Sequence, residues 1–315
     1  MGAIVELRQV TKIYEGKNKK KTVAVDAIDL SVQSGELFGL LGPNGAGKTT
    51  TLNICTTRSS LTSGSAFISG VDVSRDPARA RGFIGIVPQH LKLDFSCSVQ
   101  ENVYFHCRYY GFSHSEARHR TKELLEQFSL AERAKSMLGE LSGGLAQRLQ
   151  VAKAVAHRPD ILFLDEPTSR LDPQTRLAVW DIIRSLCKEG MTIVITTHNM
   201  GEADALCGRL AIIDHGKILV CDTPKSLKST LGADSIVDVN LKHPQPERAA
   251  EIRELPGVSG VDCTAKGYRV HSRALDGLLP KILEVTGTGH LHEIAVIEPS
   301  LETVFITLTG REMRE

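Results

Sequence analysis

Nine residues, Gly42-Pro43-Asn44-Gly45-Ala46-Gly47-Lys48-Thr49-Thr50, constrain this chain more than any other stretch. The first eight match G-x-x-x-x-G-K-[ST] at every position. They follow a short apolar run, Glu36–Leu41, and precede a helical pattern over about residues 49–57. That context of strand, loop and helix is the one in which the motif works. Glycines let successive backbone N–H groups turn inward around phosphate oxygens, a concavity that side chains would block. The helix start adds its positive end. Lys48 is then placed to reach the β- and γ-phosphates of a nucleoside triphosphate, and Thr49 to offer its hydroxyl to Mg²⁺.

A second signal is Ile161-Leu-Phe-Leu-Asp165-Glu166. Four apolar residues read as a buried strand, with Asp165 at its end to hold the Mg²⁺ water shell opposite Thr49. Glu166 is placed to polarise an attacking water. Further strand patterns at residues 4–14, 24–33, 66–69, 82–87, 192–196 and 209–214 alternate with helical ones such as Arg176–Glu189. Strands alternating with helices predict a mostly parallel α/β sheet. Residues 95–140 carry Glu, Arg, Lys and Leu at helical spacing with no strong strand, a helical insertion. Gly16–Thr22 reads as a polar hairpin loop. Beyond Thr223-Pro224 the pattern becomes strand, helix, two strands, helix, strand and a last helix. This predicts a small separate α+β domain of split-βαβ form.

Composition excludes several other classes. Lys plus Arg is 38 and Asp plus Glu 37, a net charge of +1. That balance lacks the basic footprint of a nucleic-acid-binding domain, so no nucleic acid is expected. The 7 cysteines are scattered without a C-x-x-C pair, which argues against a disulfide framework or zinc site and suits a reducing cytosol. No window reaches the roughly 18–20 continuous apolar residues of a membrane span. The N-terminus lacks the pattern of a signal peptide. Any role at a membrane is therefore expected to be peripheral, on its cytoplasmic face, through a partner.

About twenty residues before Asp165 stands Leu141-Ser142-Gly143-Gly144-Leu145. With it the chain resembles the ABC ATPase family, whose signature has the form LSGGQ. The resemblance covers about residues 4–225 and implies a P-loop NTPase fold: a RecA-like mostly parallel core, an antiparallel β subdomain, and a helical subdomain inserted at about 95–160. Together these make an ATP-binding domain of residues 1–230, leaving 231–315 as the small C-terminal accessory domain. It also implies roles. Ser142, Gly143, Gly144 and Asp172 (in Ser169-Arg170-Leu171-Asp172) would meet the ATP held by the opposite subunit. Tyr14 would stack on adenine. Gln89 would sense Mg²⁺ and link to the membrane partner. His198, in Thr196-Thr197-His198, would touch the γ-phosphate and orient Glu166. Two residues depart from the pattern: Leu145 replaces the usual Gln, and Arg170 stands where a small residue is common. The N–H donors of the signature remain.

The tail, Glu298-Pro299-Ser300-Leu301-Glu302-Thr303-Val304-Phe305 followed by Gly310-Arg311, resembles the PSLEDVF segment of the daunorubicin-resistance group of exporters, with Thr303 for Asp. The expected protein is an ATPase with ATP and Mg²⁺ as cofactors, in which Lys48, Glu166 and His198 carry the chemistry. It would pair with a second copy or a homologous ABC ATPase and power a separate integral-membrane permease, exporting a drug-like or lipophilic compound. Two alternatives share the ATP motifs. One is an importer motor. The other, a non-transport ABC ATPase, usually has a coiled-coil insertion or two cassettes, and this chain has one P-loop and no heptad run.

Overall fold

The alternation at the start of the chain forms two paired antiparallel strands, β1 (Ala3–Glu15) and β2 (Lys21–Gln33). The computed structural model describes residues 2–15, 21–230, 235–243, 245–264, 266–272, 275, 277–287, 290–297 and 299–309. Residues 16–20 of the expected hairpin loop, and Glu298, Gly310 and Arg311 of the tail motif, lie outside this set. The chain divides into two units, Met1–Pro224 and Lys225–Met313.

In the first unit β3 (Leu37–Leu41) leads through the glycine loop into α1 (Lys48–Cys55). β4 (Ser63–Ile68) and β5 (Val71–Asp72) extend the opening hairpin into an antiparallel sheet of order β2-β1-β4-β5. Then come α2 (Pro77–Gly82), β6 (Ile84–Val87), the inserted helices α3 (Val99–Tyr109), α4 (His114–Gln127) and α5 (Gly143–Ala154), and β7 (Ile161–Asp165). α6 (Pro173–Lys188), β8 (Thr192–Thr197), α7 (Met200–Leu206), β9 (Arg209–Asp214) and β10 (Lys217–Asp222) complete it. The second sheet has the order β10-β9-β3-β8-β7-β6. All its neighbours run parallel except β10 against β9. Every residue of β3, β7 and β8 is buried, as expected of central parallel strands covered on both faces. A shared apolar cluster joins the two sheets, with Val5, Leu7 and Val25 from one and Phe38, Phe163 and Val194 from the other.

Helix boundaries follow capping more closely than apolar periodicity. α6 begins at Pro173, three residues before the sequence pattern suggests, because Asp172 caps the Thr175 N–H and Pro173 fits the first turn. α5 begins at Gly143 under the Ser142 cap. The strand expected over 82–87 loses its first residues to α2, which Asp76 caps and Pro77 opens. α3 and α4 each start with a full capping box, Ser98 with Glu101 and Ser113 with Glu116.

The second unit comprises α8 (Pro224–Thr230), β11 (Ser235–Leu241), α9 (Ala249–Arg253), β12 (Val258–Thr264), β13 (Gly267–Ser272), α10 (Leu278–Thr286), β14 (Leu291–Ile297) and α11 (Leu301–Thr309). Its sheet has the order β12-β13-β11-β14 with all pairs antiparallel. This is the split-βαβ arrangement. Val237, Val239, Ile252, Tyr268, Val270 and Ile282 form its core.

The starts of α5 and α6 pack so closely that a Cβ on Gly144 would lie 2.5 Å from Thr175 Cγ2. Gly144→Ala should therefore cost about 1–3 kcal/mol through overpacking. Adding Thr175→Ser, which removes that methyl and keeps the backbone N–H bonded to Asp172, should restore most of the loss in a denaturant melt. Equal stability of Gly144→Ala and wild type would contradict this packing.

Candidate functional site

Four parallel strands deliver the predicted residues to one place. The glycine loop leaves the carboxyl end of β3, Gln89 follows β6, Asp165 and Glu166 lie at the end of β7, and His198 follows β8. Sites in parallel α/β sheets form at this carboxyl edge. The loop is fixed by its own backbone. Gly47 has φ 109°, and a Cβ there would stand 2.5 Å from the Ala24 carbonyl oxygen, so no other residue fits without movement. The Gly42 N–H donates to the Thr197 carbonyl at 3.3 Å, tying the loop to β8. Pro43, Asn44, Gly45 and Ala46 form the turn between them, and Thr49 and Thr50 begin α1.

Lys48 is only 4% exposed. Its Nζ donates to the carbonyls of Gly42 at 2.8 Å and Pro43 at 3.0 Å, and lies 3.5 Å from Glu166 Oε1. Burial pushes the ammonium below the ordinary lysine range, while the Glu166 and Asp165 carboxylates pull it back up. In such poorly solvated surroundings, an anion brought to Lys48 is worth more than it would be in water.

The two acids are held differently. Asp165 Oδ1 accepts hydrogen bonds from the Thr196 hydroxyl at 2.6 Å and the Thr49 hydroxyl at 3.2 Å. Glu166 has φ 45°, a left-handed conformation rare outside glycine. Its N–H donates to the Thr196 carbonyl at 3.0 Å and lies 3.2 Å from the Thr196 hydroxyl. That twist aims the carboxylate into the cluster. Gln89 Nε2 donates to Glu166 Oε2 at 3.0 Å. His198 Nδ1 sits 3.2 Å from Glu166 Oε1 without the alignment of a hydrogen bond. One carboxylate thus meets an amide, an ammonium and an imidazole. A water placed among them can be oriented and relieved of a proton.

Thr49 and Asp165 bring a hydroxyl and a carboxylate together, and Gln89 adds an amide. Oxygen donors of this kind suit a hard divalent cation such as Mg²⁺. The set fits that ion.

The remaining predicted residues lie elsewhere in the same unit. The Ser142 hydroxyl accepts from the Leu145 N–H at 3.4 Å, and Asp172 Oδ1 from the Thr175 N–H at 3.0 Å. Ser142, Gly143 and Asp172 are exposed and Gly144 half-buried. Their caps involve the starts of α5 and α6 and none of the P-loop atoms. Tyr14 stands 42% exposed near the end of β1, with Lys12 Nζ 4.9 Å from its ring centre.

Sequence reasoning missed two residues. Thr196, fully buried, joins Asp165 to the Glu166 backbone. Glu202, 1% exposed, accepts from the Thr168 hydroxyl at 2.5 Å and Trp180 Nε1 at 2.9 Å. It thereby links the segment after Glu166 to α6 and α7. A threonine at a strand end and a glutamate in a short helix are ordinary, so only three-dimensional pairing reveals them.

The family model described as ABC transporter matches residues 25–169. Over nearly the whole chain there are similar curated relatives. The linearmycin resistance ATP-binding protein LnrL of Bacillus subtilis (strain 168) is 36% identical, covering 94% of this chain and 96% of its own. The daunorubicin/doxorubicin resistance ATP-binding protein DrrA of Streptomyces peucetius is 37% identical, with 97% and 92% covered. The Nod factor export ATP-binding protein I of Cupriavidus metallidurans is 39% identical, with 100% of each covered. Among solved structures, the ATP-binding cassette MJ0796, dimeric and bound to ADP and Pi in a post-hydrolysis state, superposes with a TM-score of 0.64. It is 28% identical and covers 70% of this chain and 98% of its own.

Thr196→Val keeps the shape of the strand and removes the hydroxyl. Asp165 and the Glu166 N–H then each lose a buried partner, at about 1–3 kcal/mol. ATP turnover should fall while ATP affinity stays within about threefold, since no phosphate-facing group changes. Unchanged turnover would show that the hydroxyl does not position the acids.

Proposed function

Because the chain belongs to the ABC transporter family and is one of its ATP-hydrolysing subunits, we propose that two copies enclose two molecules of ATP and use the closure to drive a separate membrane permease in export. The observation that carries this reading is the convergence of Lys48, Gln89 and His198 within 3.5 Å of the Glu166 carboxylate.

In this mechanism the N–H groups of the glycine loop cradle the phosphates, and Lys48 turns from the loop carbonyls to the β- and γ-phosphate oxygens. Tyr14 stacks on the adenine, with the Lys12 ammonium beside its ring. Thr49, Asp165 and Gln89 hold Mg²⁺, which neutralises phosphate charge when bound. The Ser142 hydroxyl and the Gly143 and Gly144 N–H groups of one copy meet the γ-phosphate held by the other, with Asp172 alongside. Leu145 brings no polar side chain, and its N–H is held by the Ser142 cap. Glu166 then draws a proton from water attacking in line, while His198 orients it and contacts the γ-phosphate. Positioning and charge neutralisation supply most of the rate. Loss of the bridging γ-phosphate reopens the dimer.

Export of a drug-like or lipophilic compound is favoured because LnrL and DrrA are named for drug resistance and a third relative for Nod factor export, and all three match along the second unit as well. No described helix is long and apolar enough to cross a membrane. In this reading the subunit works from the cytoplasmic face through the permease, which chooses the cargo.

Lys48→Ala should lose ATP binding, because among the described residues its ammonium is the one buried cation beside the loop. Glu166→Gln should bind ATP normally, lose about 10²–10⁴-fold in turnover, and sediment as a stable dimer with Mg²⁺ and ATP. Wild-type turnover by Glu166→Gln would remove the role given to that residue. A monomer under those conditions would remove the sandwich.

A further inference from the structure

Away from the ATP site, a cavity of about 200 Å³ opens between β6, α3 and α5. Its polar lining includes Arg58, Lys92, Lys153, His106, His157 and Gln150, and none of its described lining residues is acidic. The cations there are poorly balanced. Lys153 is half-buried and its Nζ donates to the Lys92 carbonyl at 3.2 Å. Burial pushes its ammonium below the ordinary range, with Asp94 and Cys97 pulling it back. No carboxylate of the described residues reaches ion-pair distance of Lys153, Lys92 or Arg58. Lys92 and Arg58 are exposed, so the cost of desolvation falls on Lys153, and Asp94 offsets it without an ion pair.

The imidazoles tell the same story. His157 stacks on Tyr110 with ring centres 3.8 Å apart and faces His106 at 5.5 Å. His157 Nε2 pairs with the Ile84 carbonyl at 3.0 Å, whereas His157 Nδ1 and His106 Nε2 are buried without hydrogen-bond partners. Such atoms in a native fold call for an explanation.

We propose that this cavity binds a phosphate group, either as free inorganic phosphate or on a lipid headgroup, which supplies the missing negative charge and hydrogen-bond acceptors. Three cations, the His106 ring with its uncommitted Nε2, and an amide suit a compact oxyanion, while the Nε2–H of His157 is already given to the Ile84 carbonyl. The volume falls below the roughly 300–1,000 Å³ of drug-sized sites, so a whole nucleotide does not fit. The location gives the site a consequence. Gln150 clamps the loop carrying Gln89 at both ends, donating to the Pro88 carbonyl at 3.0 Å and accepting from the Lys92 N–H at 2.8 Å. An anion held by Lys92 and Lys153 adds a second tie across that loop, and Gln89 bonds Glu166.

The test uses the full chain with its P-loop saturated by Mg²⁺ and a non-hydrolysable ATP analogue, so that added phosphate cannot bind there. Histidine ring signals are followed by NMR and assigned through His106→Gln and His157→Gln. Inorganic phosphate is titrated in one arm and phosphatidic acid vesicles in another, with phosphatidylcholine vesicles as the control. The expected result is movement of the His106 and His157 signals. His106, held near 4 by burial, His157 and Lys153, should titrate at higher pH with the anion bound. Lys153→Met should weaken binding by about tenfold or more, and so should the exposed Arg58→Ala, which leaves the packing intact. Response to inorganic phosphate assigns a free anion, and response to the acidic vesicles alone assigns a headgroup. If neither probe moves the two rings, or if both variants bind as wild type does, the site does not exist.

Discussion

A lysine buried at the mouth of a helix is the constraint around which the rest of this unit is arranged. Lys48 cannot leave the site, because the glycine loop locks its backbone and α1 begins with it. It cannot shed its cost alone either. Two loop carbonyls and the Glu166 carboxylate hold its charge until phosphate arrives. The same carboxylate is tied to Gln89 and approached by His198, so on the proposed mechanism an anion drawn to Lys48 would rearrange the partners of Glu166. One oxygen, Glu166 Oε1, lies near both Lys48 and His198, and the proposed mechanism would couple binding to chemistry through it.

That coupling needs rigid support, and the parallel sheet supplies it. β3, β7 and β8 are adjacent, wholly buried, and in a register that sets Asp165 opposite Thr196. The register explains why the Thr196 hydroxyl reaches Asp165 and why its carbonyl takes the Glu166 N–H. Glu202 extends the same support outward, from Thr168 to Trp180. Movement of any one of these strand ends would disturb all the others. The helical insertion joins this arrangement through Gln150 and its hold on the Gln89 loop.

The glycine loop was legible in the sequence because its geometry tolerates so few residues: Gly47 is required by φ and by the Ala24 carbonyl behind it. The apolar runs before Asp165 and Thr196 were legible for a similar reason, since only central parallel strands are buried throughout. Short elements were harder. α2 and β10 hold six residues each and α7 and α8 seven, too few for periodicity to separate from a loop. The order of strands in the second unit rests on pairings between distant residues such as Val237 with Val296, which local pattern does not encode. Thr196 and Glu202 were invisible for that reason too. Each matters through partners between 22 and 34 residues away, and neither residue type stands out where it sits.

The measurement that bears most directly on the whole account is affinity purification of the tagged chain from detergent-solubilised membranes, with identification of what accompanies it. The account predicts a multi-helix integral-membrane permease that lacks an ATPase domain of its own. Recovery of only a soluble homodimer, or of ribosomes, would contradict the transport function while leaving the ATPase chemistry in place.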